Sequence, residues 1–281
     1  MGYSKIKSYA KINLALNIVG KNSYLHKIES IISFLDIYDE ISIKSIKNQN
    51  HQIKFNGKFS TNIYSRNTIS KLFEVMDKKK LLKNKKFKIL IKKNIPSRAG
   101  LGGGSMNAAN VLNFLVKKKI LKVSNKELFK ICNEIGSDVI LGMFSNNLIL
   151  KSNNRIRVFR NKKSIYALVV KPSFGCSTKD IYSKVRKFTK AKLNKPTKSM
   201  FKMDFLKKMS NDLEPIALAK YPKLNTLKRF LEKLSNVEFV RMTGSGSAII
   251  AYFKSNKLCK DAEKKVKKQF RNYWCKVAKT I

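Results

Sequence analysis

Between Asn94 and Leu112 the chain reads NIPSRAGLGGGSMNAANVL, with glycines at positions 100, 102, 103 and 104. Ahead of this run Phe87, Ile89 and Ile91 alternate with lysines, the period of a strand. Behind it Ala108, Ala109, Val111, Leu112, Leu115 and Val116 recur at the spacing of one helix face. A strand that passes through a nearly bare loop into a helix is a strong constraint on the fold. Glycines let the backbone turn sharply and approach a ligand, while the first amides of the helix lack intrahelical partners and carry the positive end of its dipole. That arrangement binds phosphate. Two familiar versions of it are absent. G-x-x-x-x-G-K-[ST] fails because Met106 and Asn107 follow Ser105, and G-x-G-x-x-G needs a glycine where Ser105 stands. A tight helix start with no ligand is the alternative reading of this segment taken alone.

The flanking sequence supplies the other elements. Ile12, Leu14, Leu16 and Ile18 alternate with Lys11, Asn13, Ala15 and Asn17, predicting a strand that ends at Gly20. The run SIISFLDIYDEISIKSI is β-rich, and its acidic residues Asp36, Asp39 and Glu40 predict a turn within it. Residues 67–77 space Ile69, Leu72, Phe73 and Met76 as a helix, and KELFKICNEI predicts another, stopped by Gly136. From about Asn153 the texture changes to a polar stretch before the apolar strand IYALVVKPS, which places a domain boundary between residues 1–153 and 154–281. At about 150 residues per domain, 281 residues accommodate two. The second half alternates strands and helices, with VEFVRM and AIIAYF as a hairpin-like pair, and predicts an α+β sandwich of ferredoxin type.

Charge narrows the partners less than its size suggests. Lys and Arg number 61 against 17 Asp and Glu, a net +44, which attracts phosphates of any kind. Lysines are spread over almost every segment and Arg is scarce beside them, so the simplest reading is a solvated lysine coat with no dedicated nucleic-acid surface. A nucleic-acid-binding protein remains an alternative, and it predicts tight binding with a steep salt dependence. Cys132, Cys176, Cys259 and Cys275 are far apart, form no C-x-x-C pair and have only His26 and His51 as imidazole partners. A disulfide framework and a zinc site are therefore not expected, and no protein metal site is assigned. No run of 18 apolar residues occurs and the N-terminal stretch lacks a continuous apolar region, so the expected location is cytoplasmic, with no membrane partner.

Three further segments, YAKINLAL at 9–16, GSDVILGMF at 136–144 and RMTGSGSAIIAYF at 241–253, stand in order around the glycine loop. With PSRAGLGGGSMNAA they resemble the GHMP kinase superfamily. H-x-x-x-S-x-x-x-F-L-D from His26, FGCSTKDIY ending at Tyr182 and NDLEPIALAKYP from Asn211 are similar to the branch that acts on a cytidine diphosphate alcohol. The resemblance implies a two-domain α+β fold, with an N-terminal ribosomal-protein-S5-domain-2-like domain and a C-terminal ferredoxin-like α/β sandwich. It implies ATP with Mg2+, and transfer of the γ-phosphoryl group to the 2-hydroxyl of a cytidine-diphosphate-linked methylerythritol. A homoserine or mevalonate-type kinase is the alternative within the superfamily. The expected working form is a monomer or weak homodimer.

Residue roles follow from that resemblance, each beside a plainer reading. Asp138, set among small apolar residues in GSDVIL, is an N-cap by position and the catalytic aspartate by resemblance. Lys11 lies between Ala10 and Ile12 in a strand. It is either surface charge or the cation that counters charge on the transferred group, in which case it is expected within hydrogen-bond reach of Asp138. Pro96, Ser97, Arg98, Ala99, Gly100, Leu101, Gly102, Gly103, Gly104, Ser105, Met106 and Asn107 would wrap the ATP phosphates, with Ser105 and Asn107 reaching phosphate or magnesium-bound water. Asn67 resembles the nucleoside-side segment and serves equally as a helix cap. Thr243 to Ser247 would form a third motif beside the phosphate loop and the substrate tail, with Thr243, Gly244 and Ser245 on the substrate, or a plain hairpin turn. Asn13, His26 and Tyr182 would contact the acceptor, with the Tyr182 ring stacked on cytosine. The related kinases carry a tyrosine directly before that histidine. Here Leu25 stands there and Tyr24 one step earlier, so either Tyr24 or an aliphatic face opposes Tyr182. Arg98, Ala99, Met106 and Ile140 are further departures from the superfamily pattern.

Overall fold

In the computed structural model residues 2–22, 25–61, 63–144, 146–160 and 164–281 are described. The chain divides into two compact units, each assembled from separate stretches of sequence.

The first unit comprises Met1–Lys11, Ile37–Ser97 and Gly102–Ser145. Along the chain its elements are the start of β1 (Ser4–Lys21), the later part of β2 (His26–Ile46), β3 (Gln52–Asn56), α1 (Thr68–Lys78), β4 (Lys86–Lys92), α2 (Gly103–Lys117), α3 (Asn125–Ile135) and a 3₁₀ turn at Ile140–Met143. β2 pairs antiparallel with β4 from Glu40↔Lys92 to Ile46↔Lys86, and β4 pairs parallel with β3. Ile41 and Ile43 of β2, with Phe87, Ile89 and Ile91 of β4, present one sheet face to Leu72, Phe73 and Met76 of α1 and Leu112 and Leu115 of α2. Both helix stripes are those the spacing predicts. Local chemistry sets the helix ends. Asn67 and Ser70 form a reciprocal capping box on α1, the Ser124 hydroxyl caps α3, and Gly136 ends it.

One expectation fails in this unit. The acidic cluster in β2 makes no turn; the strand runs unbroken from His26 to Ile46. Asp36 and Glu40 point outward, whereas Asp39 is fully buried, its carboxylate satisfied by donors from distant segments. A strand tolerates an acidic residue that faces solvent, as Asp36 and Glu40 do, or one met by internal partners, as Asp39 is, and those partners are invisible to a local reading.

The second unit comprises Ile12–Asp36, Arg98–Leu101 and Asn146–Ile281. The early part of β2 pairs with β5 (Asn147–Leu150), which pairs with β6 (Ile156–Phe159). There follow β7 (Tyr166–Lys171), α4 (Thr178–Ser183), α5 (Met203–Lys207), α6 (Glu214–Lys220), α7 (Pro222–Glu232), β8 (Phe239–Met242), β9 (Ile249–Phe253), α8 (Asn256–Gln269) and β10 (Trp274–Lys279). The last four strands form an antiparallel sheet in the order β10-β7-β9-β8, the ferredoxin-like arrangement predicted from the β–α–β–β–α–β run. Its core joins Leu168, Val170, Ile249 and Ala251 to Leu224, Leu227 and Leu231 of α7 and to Cys259 and Val266 of α8. The stretch from Glu214 to Glu232 forms two helices. Pro222 takes the first position of α7 and denies α6 its continuation through Tyr221.

Candidate active site

In the first unit, Lys11 Nζ lies 3.0 Å from Asp138 Oδ2. Asp138 sits between the glycine that stops α3 and the 3₁₀ turn at Ile140–Met143, and that turn has no side-chain cap. Its backbone oxygen accepts from Leu141 N at 3.2 Å, leaving the carboxylate directed at Lys11. Gly142 holds the turn against α2, since a Cβ there would stand 2.6 Å from Ala109 Cβ. Gly102 does the same for the lysine, where an added Cβ would meet Lys11 Cε at 3.2 Å.

The glycine loop starts at buried Pro96 and exposes Ser97 and Arg98. Gly102 (φ +66°) opens α2 with no side-chain bond to the first turn, so the leading amides of the helix meet no protein cap. Gly104 is exposed, and its carbonyl accepts from the Thr68 hydroxyl at 2.8 Å. Bare first-turn amides on an open glycine surface fit a polyphosphate. Two loop residues are turned away from that surface. Met106 lies in the core, and buried Asn107 donates from Nδ2 to Asp39 at 2.9 Å. The side chain of Asn67 is committed to the backbone. Its Oδ1 accepts from Ile69 N and Ser70 N, and its Nδ2 donates to the carbonyls of Tyr64 and Ser65.

In the second unit, residues 98–101 of the same loop lie along the turn after β8. Ser247 N and Ala248 N donate to the Arg98 and Ala99 carbonyls at 3.2 and 3.1 Å, and the Thr243 hydroxyl to Gly100 O at 3.2 Å. Buried Leu101 completes this stretch. Gly100 (φ +74°) admits no side chain, because an added Cβ would fall 2.0 Å from the Thr243 carbonyl oxygen. Asn13 N donates to the same Thr243 hydroxyl at 3.0 Å, and Asn13 Nδ2 to Ser30 Oγ at 2.8 Å. Asn211 fixes the turn from beneath, donating to Met242 O and Gly244 O at 2.8 Å each.

The His26 and Tyr182 rings lie 5.3 Å apart at 46° in this unit. Burial, then the Lys21 charge, lowers the His26 pKa below its ordinary 6.5. The loop leading to Tyr182 is tied to the glycine turn twice, by Thr178 Oγ1 to Ser245 Oγ at 2.8 Å and by Ser247 Oγ donating to Phe174 O at 2.7 Å. Cys176 within it is no nucleophile, since burial pushes its thiol up to about 11. Tyr24 lies outside the described residues. Ser247 belongs to the Thr243–Ser247 turn expected beside the phosphate loop, whereas Asp39, Thr178 and Asn211 carry no functional assignment from the sequence. Only motif membership, FGCST for Thr178 and NDLEP for Asn211, could have flagged two of them.

The model of the GHMP kinases N terminal domain matches residues 67–146, and that of the GHMP kinases C terminal domain residues 199–272. Across all of both chains, 281 residues are 54% identical to 4-diphosphocytidyl-2-C-methyl-D-erythritol kinase of Pelagibacter ubique. The chain belongs to the 4-diphosphocytidyl-2-C-methyl-D-erythritol kinase family. A family member from Clostridium tetani is 32% identical over 99% of this chain and 100% of its own. Among solved structures, a 4-(cytidine 5'-diphospho)-2C-methyl-D-erythritol kinase superposes with a TM-score of 0.76 at 21% identity, covering 98% of this chain and 99% of that one. Homoserine kinase from Cytophaga hutchinsonii does so with 0.72 at 15% identity, covering 100% and 95%. These two likenesses show the fold, the two-domain GHMP kinase architecture with two sheets.

GHMP kinases use ATP, and the bare amides of α2 fit its phosphates. Among the described residues no group of three or more His, Cys, Asp or Glu side chains could hold a metal ion, and no helix is long and apolar enough to cross a membrane.

Proposed function

We propose that this kinase transfers the γ-phosphoryl group of ATP to the 2-hydroxyl of 4-diphosphocytidyl-2-C-methyl-D-erythritol, giving the 2-phosphate and ADP in the non-mevalonate route to isopentenyl diphosphate. The observation that carries the chemistry is the Lys11–Asp138 pair at 3.0 Å. Asp138 accepts the proton of the attacking hydroxyl as its oxygen bonds to phosphorus and the bond to the β-phosphate oxygen breaks. The Lys11 ammonium counters charge on the transferred group, and the α2 amides hold the phosphates in place. In a loose transition state such positioning and neutralisation supply most of the acceleration.

Magnesium, when bound with ATP, neutralises phosphate charge. It would be held mainly by phosphate and water oxygens, with Ser105 in the first turn of α2 reaching phosphate or magnesium-bound water. His26 and Tyr182 are assigned to the cytosine, with Asn13 and the Thr243–Ser245 turn on the acceptor. For the two domains we adopt a boundary at residue 153, which falls between the two matched stretches. Four unpaired cysteines fit a reducing cytoplasm, where the enzyme works as a monomer or weak homodimer with no nucleic-acid or membrane partner.

Turnover of ATP with 4-diphosphocytidyl-2-C-methyl-D-erythritol, compared between the natural chain and Asp138→Ala, tests this reading. Turnover is expected to vanish in the variant while nucleotide binding persists. Undiminished turnover there removes the mechanism.

A further inference from the structure

Asp39 is fully buried near the middle of β2, and every contact of its carboxylate leads to the glycine loop. Oδ1 accepts from Asn94 N at 2.7 Å and Ile95 N at 2.8 Å, the last two amides before Pro96. Oδ2 accepts from Asn107 Nδ2 at 2.9 Å, in the α2 turn that follows the loop, and from the ammonium of Lys93. One side chain thus holds both ends of the segment between Ile95 and Asn107.

Stability alone does not account for this choice. A buried ion pair costs several kcal/mol per ion in desolvation, and apolar replacements of similar shape are often at least as stable. The satisfaction is also uneven. Asn107 Oδ1 is buried with no hydrogen-bond partner, so that residue leaves one acceptor unmet while its amide donates to Asp39. A carboxylate can only accept, so Asp39 dictates which way the Asn107 amide points. What the arrangement provides is a fixed distance between the end of β4 and the first turn of α2, and hence fixed positions for the amides of Gly103, Gly104 and Ser105.

We infer that Asp39 is a positioning residue for nucleotide binding, setting the geometry of the phosphate loop from beneath without touching the nucleotide. The inference rests on the reading of that loop as the ATP site. Misplacing a reacting group by about 1 Å costs on the order of 10²-fold in rate. Loosening one end of the loop should therefore act on ATP far more than on the acceptor.

The test uses the full-length chain and Asp39→Asn, with a non-hydrolysable ATP analogue and CDP as separate thermal-shift probes. Both ligands raise the melting temperature of the natural chain by binding the folded state. In Asp39→Asn the nucleotide shift is expected to disappear while the CDP shift stays, with KM for ATP raised about tenfold or more and KM for the acceptor within about twofold. If both shifts survive, or both are lost together, Asp39 has no selective role and the inference is overturned. Where Asp39→Asn does not fold, Asp39→Glu keeps the charge and moves it by one methylene, and the same split between the two KM values is required of it. A natural chain that shows no shift with the analogue overturns the nucleotide reading of the loop, and the inference with it. A natural chain that shifts beside an unaffected variant overturns the inference alone.

Discussion

Lys11 and Asp138 form an ion pair of unequal members: the lysine side chain is 5% exposed, while the carboxylate 3.0 Å away keeps 36% of its surface. The carboxylate is therefore open to a bound ligand, while the lysine beside it is shielded from solvent.

Asp138→Asn keeps the shape and removes the base, so kcat is expected to fall by about 10²–10⁴-fold. Lys11→Met removes the charge opposite the transferred group and should cost about 10²–10³-fold. Steady-state kinetics check both, and KM for ATP should move little in either.

Tyr182 offers its ring next to His26, at 5.3 Å between centroids. Loss of a base-stacking ring costs roughly 1–3 kcal/mol, so Tyr182→Ala should raise KM for the acceptor by about one to two orders of magnitude. Tyr182→Phe keeps the stacking face and should retain most of the affinity. Equal losses in the two variants would point to the hydroxyl instead of the ring.

Gly100→Ala places a methyl 2.0 Å from the Thr243 carbonyl oxygen, on a backbone with φ +74°. The left-handed conformation alone costs about 1–3 kcal/mol for a residue with a side chain, and the clash adds to it. Urea denaturation should show at least that loss. As the control, a methyl at Gly20 meets nothing nearer than Lys27 Cδ at 3.8 Å, so Gly20→Ala should change stability by less than about 0.5 kcal/mol.

His51 stacks on Phe73 at 4.1 Å and accepts the Phe87 amide at Nδ1. Burial lowers its pKa below 6.5 despite the opposing hydrogen bond and charge of Asp77, and the Lys86 charge lowers it further. The unfolded chain therefore takes up the proton at higher pH than the folded one. The contribution of His51 to stability is complete above pH 6.5 and is lost as pH falls from there through the folded value. Melting temperatures between pH 7 and pH 5 should fall less steeply for His51→Gln than for the natural chain; parallel curves would contradict this.

Much of the fold is legible in the chain itself because its signals are local. Apolar residues at helical spacing pick out the buried faces of α1 and α2, and Asn67 and Gly136 mark helix ends by the chemistry of a few neighbouring backbone groups. The ferredoxin-like order of the last four strands follows the alternation of β and α elements. The bare loop ahead of α2 is legible for the same reason, since glycines before a helix are a property of consecutive residues.

What sequence reasoning could not reach is which polar residues are internal. The alternation at the start of the chain marks a strand but does not show that Asn13 and Asn17 are buried, Asn13 bonded to Ser30 and Asn17 to Glu29. Asp39 looked like a turn and instead anchors residues 55 to 68 positions further along the chain. Turned inward, a polar side chain is stable only with donors or acceptors to meet it, and chain folding brings those from distant segments. Periodicity records which side chains avoid water; only the assembled structure decides which polar groups leave water together.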